Sequence, residues 1–209
     1  MEQRIMENYK QQIEEMIKTI NAHAISYAGG KEVDYRVQKA MRMIPRHNFV
    51  PHFHYEDRPV TIGHKQTISQ PFIVAYMTDM LDISPLHTVL EIGTGSGYQA
   101  AVLSEVALKV YTVERIKALA DQTKILLEHY SNVHMKVGNG YKGWKENAPY
   151  DRIIVTAMPN YIPQSLVNQL KDGGKMIIPV QGDLILVTKT GKTYTKRSLI
   201  GVRFVPLVE

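Results

Sequence analysis

Residues Thr88 to Ala101 read TVLEIGTGSGYQAA, and the strand, turn and helix they spell decide the fold. Thr88 to Ile92 is a short apolar run of the kind that forms a buried parallel strand. Gly93, Gly95 and Gly97 follow, and from Tyr98 small and apolar residues resume at helical spacing. A strand that turns through glycines into a helix lets the backbone approach a ligand closely, with N–H groups free to point into the site. Glu114 closes YTVE, twenty-three positions after Glu91, where a second strand should end. An acid there can accept hydrogen bonds from both hydroxyls of a ribose. The pattern points to an adenosine-like ligand.

Glycine spacing narrows the choice. A dinucleotide fingerprint is G-x-G-x-x-G, whereas this chain has G-x-G-x-G preceded by Glu91. An acid before the turn suits a cationic or amine-bearing ligand better than a pyrophosphate, and S-adenosylmethionine is such a ligand. The bland alternative is a glycine turn that serves tight packing alone. Gly191-Lys192-Thr193 matches the end of a P-loop, but Leu186 stands where the first glycine belongs.

Outward from this stretch, strand signals fall at Val89–Ile92, Val110–Val113, Val133–Val137, Ile153–Thr156, Met176–Pro179 and Leu184–Thr188. Helical segments lie between the earlier ones, notably Ile116–Tyr130 and Pro163–Leu170. This alternation predicts an α/β, doubly wound, Rossmann-like sandwich with a mostly parallel sheet. TYTKRSLI and VRFVPLV are strand-like with no helix before them, and predict an antiparallel finish. Ahead of the core, Ile5, Tyr9, Ile13, Met16, Ile17 and Ile20 give an amphipathic helix stopped at Ala28-Gly29-Gly30. A second helix runs from about Asp34 to Met43, and a third from Phe72 to Leu81. Residues 45–71 show little periodicity, and so long a connection is usually functional. One domain is expected over 1–209: a helical extension (1–33), helices with a substrate loop (34–87), and the cofactor core with C-terminal strands (88–209).

The chain has 209 residues, 44% of them hydrophobic and 22% charged, enough for one full core. It has no cysteine, which excludes disulfides and thiolate metal sites. Charges run through the first sixteen residues, and no apolar stretch is long enough for a bilayer, so a cytoplasmic address is expected. The net charge of +5 is spread without a basic run. Neither nucleic acid nor membrane is therefore an expected partner. His52 and His54, with Glu56 and Asp57 nearby, lack a third placed ligand and are read as loop residues, leaving no metal site.

A second constellation precedes the core, YEDRPVTIGHKQTISQPF from Tyr55 to Phe72. Thr67 and Ser69 flank Ile68 in a loop framed by proline and glycine. Two readings are open: a hydroxyl pair that binds substrate, or Ser69 as N-cap of the helix at Phe72. No G-x-S-x-G elbow is present to support a serine nucleophile.

RVQKAMRMIPRHNFVP, the TISQP loop with its flanks, VLEIGTGSGYQAAVLSE and APYDRIIVTAMPNYIPQSLVNQLKDGGKMIIPV together resemble the protein-L-isoaspartate O-methyltransferases, from about Asp34 onward. The TISQP loop is the specific part, since many methyltransferases share the glycine motif. The resemblance implies a methyltransferase fold, S-adenosylmethionine as cofactor, and methylation of L-isoaspartyl carboxylates in damaged proteins. It implies Ser69 as the active-site residue, with Thr67, Ile68, Val205 and Pro206 toward substrate. On the cofactor side it implies Gln66, Thr67, Glu91, Gly93, Thr94, Gly95, Gly97, Glu114, Asn139 and Gly140. A monomer acting on isoaspartyl-containing proteins and peptides is expected.

Three departures stand out. Lys65 replaces a common glycine, VQGDLILV is short, and Asn139 replaces the usual aspartate beside the adenine. The last predicts weaker cofactor binding through lost charge assistance. The rivals are a methyltransferase acting on aspartate of a biosynthetic peptide and a non-catalytic S-adenosylmethionine-binding protein.

Overall fold

The computed structural model describes residues 2–27 and 29–209, with side chains from Met6 onward. Ile5 and Ala28, used above for the first helix and its stop, lie outside the described side chains and residues respectively. Helix α1 (Glu2–Tyr27) buries Met16, Ile17, Ile20 and Ala24, spaced by three or four positions as one apolar face requires. Helix α2 (Tyr35–Met43) is capped by Asp34, whose Oδ1 accepts the Arg36 N–H at 2.7 Å. It stops before Pro45, which disfavours helical backbone at Ile44. The connection that showed no periodicity holds a short 3₁₀ turn (Arg46–Asn48) and a hairpin of β1 (Val60–Gly63) and β2 (Gln66–Ile68). Strands this short give no usable alternation. Helix α3 (Pro71–Met80) opens on Pro71, whose missing N–H costs nothing in the first turn.

Seven further strands make one sheet: β3 (Thr88–Ile92), β4 (Lys109–Glu114), β5 (Val133–Val137), β6 (Tyr150–Val155), β7 (Leu170–Val180), β8 (Asp183–Thr190) and β9 (Thr193–Gly201). Their spatial order is β5-β4-β3-β6-β7-β8-β9, parallel from β5 to β7 and antiparallel thereafter. Helices α4 (Tyr98–Ser104), α5 (Lys117–Leu127) and α6 (Gln164–Asn168) connect the parallel strands. Side-chain alternation divides the core in two. Val89, Ile154 and Ile177 pack toward α1 to α4, while Leu90, Ile92, Ile153, Val155 and Met176 face the cluster that includes α6.

This topology places the site. The chain winds from β3 out to β5, then returns to lay β6 on the other side of β3. Ligands of such sheets bind in the crevice beyond the carboxyl ends where winding reverses, here between Gly93 after β3 and Thr156 after β6. One expectation needs correction. VRFVPLV is not a strand; residues 202–208 run irregularly, with a single bridge between Met158 and Pro206. The short VQGDLILV segment closes β7 onto β8 by a two-residue turn, Gln181-Gly182, with both φ positive.

Candidate active site

The turn after β3 is built by glycine for two different reasons. Gly93 has φ +97°, and an added Cβ would lie 2.5 Å from Thr156 Oγ1. Gly97, at φ +88°, would press its Cβ within 2.8 Å of Thr123 on α5. Left-handed backbone and close approach both demand glycine at these positions. Four N–H groups at the turn are engaged within the protein. Gly93, Gly95, Gly97 and Tyr98 donate to Val113 O, Glu114 Oε2, Thr94 O and Ser96 Oγ. With these four amides engaged, the turn offers less to a pyrophosphate.

Beside it opens a cleft of about 630 Å³, open solvent at its mouth included. Gln66, Thr67, Gly93, Gly95, Glu114 and Gly140 line it, all six of them anticipated from sequence. Glu114 reaches it from the end of β4. Its Oε1 accepts from Ile116 N at 2.8 Å and its Oε2 from Gly95 N at 2.9 Å. Each carboxylate oxygen keeps a lone pair for a diol. Gly140 allows the opposite wall to close in, since a Cβ there would fall 2.6 Å from Ile92 and 2.9 Å from Leu207. An acid on one wall, an apolar slot on the other and no amide nest fit an uncharged adenosine with a ribose diol.

Glu91, Thr94, Gly97 and Asn139 stand behind this lining. Glu91 is fully buried, and its Oε2 accepts from Thr112, which also bonds Thr94 Oγ1 at 2.6 Å. Its Oε1 has no partner, and burial pushes the carboxyl up to about 8. Asn139 Oδ1 accepts Tyr141 N at 2.8 Å and caps the short helix that follows.

The TISQP loop forms the other half. Thr67 lines both the first cleft and a second, larger one that Ser69 lines with Phe72, Ile73 and residues 199–205. Thr67, Thr156 and Val205 are common to the two. The capping reading of Ser69 is not realised. Gln70 occupies the N-cap position of α3, and Asp57 Oδ1 accepts the Phe72 N–H at 2.7 Å. Arg46, wholly buried, donates from Nη2 to Ser69 O at 2.8 Å. Ile68 is buried and pairs with Val60 across the hairpin, so it anchors the loop.

Residues 202–208 complete the walls. Met158 N donates to Val205 O and Leu207 N to Met158 O, each at 2.8 Å. Val205 thereby faces both clefts, whereas Pro206, Leu207 and Val208 face only the first. Pro206 therefore lines the first cleft and not the second. Thr156 and, in the second cleft, Tyr27 of α1 escaped sequence reasoning. Only Thr156 carried a signal, as the residue ending the strand beside β3. His52 and His54 pack against Phe53 and against Tyr9 and His47. Among the described residues no group of three or more acids and histidines stands ready for a metal.

Comparison with known proteins adds an independent line. The family model for protein-L-isoaspartate(D-aspartate) O-methyltransferase matches residues 11–209. Protein-L-isoaspartate O-methyltransferase 1 of Cupriavidus necator is 50% identical over 206 residues, covering 92% of this chain and 79% of that protein. The Dictyoglomus thermophilum protein-L-isoaspartate O-methyltransferase is 52% identical over 182 residues, 82% of this chain and 83% of its own. A solved protein-L-isoaspartate O-methyltransferase superposes with TM-score 0.83 at 27% identity, over 94% of this chain and 66% of the other. A Plasmodium falciparum structure solved with S-adenosyl-L-homocysteine superposes with TM-score 0.81 at 24% identity, over 96% and 98%, a likeness of fold.

Proposed function

The chain belongs to the protein-L-isoaspartate(D-aspartate) O-methyltransferase family, and from that premise we propose that Ser69 binds and orients the acceptor carboxylate. The enzyme is an S-adenosylmethionine-dependent carboxyl methyltransferase that repairs L-isoaspartyl residues in damaged proteins. One observation carries the assignment of Ser69: the loop that bears it is the partition between two clefts, with Thr67 open to both.

S-adenosylmethionine, when bound, supplies an electrophilic methyl group on a sulfonium. Glu114 would hold the ribose hydroxyls, and Gly93, Gly95 and Gly140 would leave room for the nucleoside. Glu91 and Asn139 would act from behind, Glu91 by shaping the turn through Thr112 and Thr94, Asn139 by fixing the short helix that Gly140 opens.

The acceptor needs no general base. A carboxylate with a reference pKa of about 4 is ionised at neutral pH and carries its own nucleophilic lone pair. The task of the protein is alignment, worth up to several kcal/mol. Ser69 Oγ–H would donate to one carboxylate oxygen and leave the other to attack, with Thr67 in support. Val205 and the tail would exclude water where an anion and a cation neutralise each other, a charge change that a dry site favours. The resulting ester lies next to a peptide nitrogen that can expel methoxide to give a succinimide, whose hydrolysis returns some normal aspartate.

The reading extends to a cytoplasmic monomer of one domain whose partners are isoaspartyl-containing polypeptides. No described helix is long and apolar enough to cross a membrane. The deciding experiment is transfer of labelled methyl to matched aspartyl and isoaspartyl peptides by the parent and by Ser69→Ala. Label in the isoaspartyl peptide alone, with turnover at least a hundredfold lower in the variant and cofactor affinity unchanged, is expected. Near-normal turnover in Ser69→Ala would remove Ser69 from the site.

A further inference from the structure

Arg46 is the least explained charge in the molecule. It is 0% exposed, and its Nε and Nη1 have no hydrogen-bond partner among the described residues. No carboxylate pairs with it there. Removing an unpaired guanidinium from water costs several kcal/mol, and an apolar side chain of similar volume is usually tolerated at least as well. The Asp57 carboxylate attracts it electrostatically, but no ion pair among the described residues accounts for a cation at this position.

Its two contacts supply a reason. Nη2 donates to Ser69 O at 2.8 Å, and the guanidinium carbon lies 4.9 Å above the ring of Tyr98. Tyr98 is the first residue of α4, directly after Gly97 of the cofactor turn. Tyr98 is itself 1% exposed, its hydroxyl likewise without a partner. One planar group thus ties the end of the glycine turn to the backbone of the loop that carries the hydroxyl. A planar cation can stack on a ring and donate edge-on in the same pose, which an ammonium cannot do.

We propose that Arg46 is a positioning residue that fixes Ser69 relative to the cofactor turn. It touches neither cleft and acts only through Ser69, so the proposal rests on the role assigned to Ser69 above. Its loss leaves the cofactor cleft formed while the Ser69 backbone drifts. Displacement of a catalytic group by a fraction of an ångström to 1 Å is enough to cost one to two orders of magnitude in rate.

The test uses Arg46→Leu, an apolar replacement that the buried site should accept, alone and combined with Ser69→Ala. Expected are an unchanged or raised melting temperature, cofactor affinity within twofold of the parent, and isoaspartyl turnover at least tenfold lower. Amide exchange at residues 67–70 should quicken while the sheet is unaffected. In the Ser69→Ala background the Arg46 substitution should have almost no further effect on turnover. Normal turnover in folded Arg46→Leu, or independent multiplication of the two losses, overturns the proposal. Normal turnover in Ser69→Ala alone instead overturns the reading of Ser69. Should Arg46→Leu not fold, Arg46→Lys carries the same comparison, because it keeps the charge and loses the fork.

Discussion

Asp57 Oδ1 accepts the backbone N–H of Phe72 at 2.7 Å, so α3 is capped by a residue fifteen positions upstream of its own first turn. The other oxygen, Oδ2, accepts from Gln70 Nε2 at 3.3 Å and lies 2.7 Å from His23 Nδ1 on α1. One nearly buried carboxylate therefore secures the chain just after Ser69. Asp57→Ala should destabilise the protein by about 1–3 kcal/mol, the cost of stranding buried donors, and lower turnover. Asp57→Asn keeps an acceptor for Phe72 and should lose less of both. Urea unfolding and peptide methylation of the two variants check the order; equal effects would argue against the capping role.

At the hairpin tip, His64 and Lys65 have φ of 50° and 58°. The lysine that replaces a common glycine is thus held in left-handed backbone, which costs about 1–2 kcal/mol for a residue with a Cβ. Lys65→Gly should raise stability by about 0.5–1 kcal/mol, the remainder being offset by added freedom in the unfolded chain. Thermal unfolding measures it, and a lower melting temperature would contradict the account.

Glu91 gives the stability a pH dependence of definite sign. Its carboxyl titrates near 4.5 when unfolded and about 8 in the fold, so the folded chain binds the extra proton between these values. Its contribution to stability therefore falls as pH rises across that window. Glu91→Gln does not titrate and should lose less stability between pH 5 and 8, seen as a smaller drop in melting temperature. Parallel curves for parent and variant would show that Glu91 is ionised in the fold.

Gly140→Ala tests the narrow wall of the first cleft. The new methyl would meet Ile92 and Leu207 at 2.6 and 2.9 Å; Ile92 is fully buried, so the core side must shift as well as the tail. Cofactor affinity by calorimetry should fall at least tenfold, or about 1.4 kcal/mol. Urea unfolding should show a loss of about 1–3 kcal/mol besides, the cost of overpacking beside a buried side chain.

The centre of the sheet was legible because burial on both faces makes β3, β4 and β6 largely apolar runs, the first two of which end at Gly93 and Glu114. Glu114, Gly93 and Gly95 were legible for the same reason, as strand ends at a reversal of winding. What escaped depends on long-range geometry. Nothing in RHN marks Arg46 as the partner of a loop twenty-three residues away. Asp57 reads as one acid in a polar loop until the fold brings Phe72 to it. Asn139 was legible by identity, while the bond that its Oδ1 accepts from Tyr141 N was not. VRFVPLV alternates like a strand, yet its pairing was taken by a single bridge to Met158 that no local pattern encodes.

The tail from Val205 to Val208 follows the last strand of the sheet. A chain emerging from the ribosome as far as Gly201 already contains every strand of the sheet and the Ser69 loop. It lacks the wall that separates and closes the two clefts. In order of synthesis the site is finished last, and the same few residues that close it also lay Val202, Phe204 and Leu207 on the two cores.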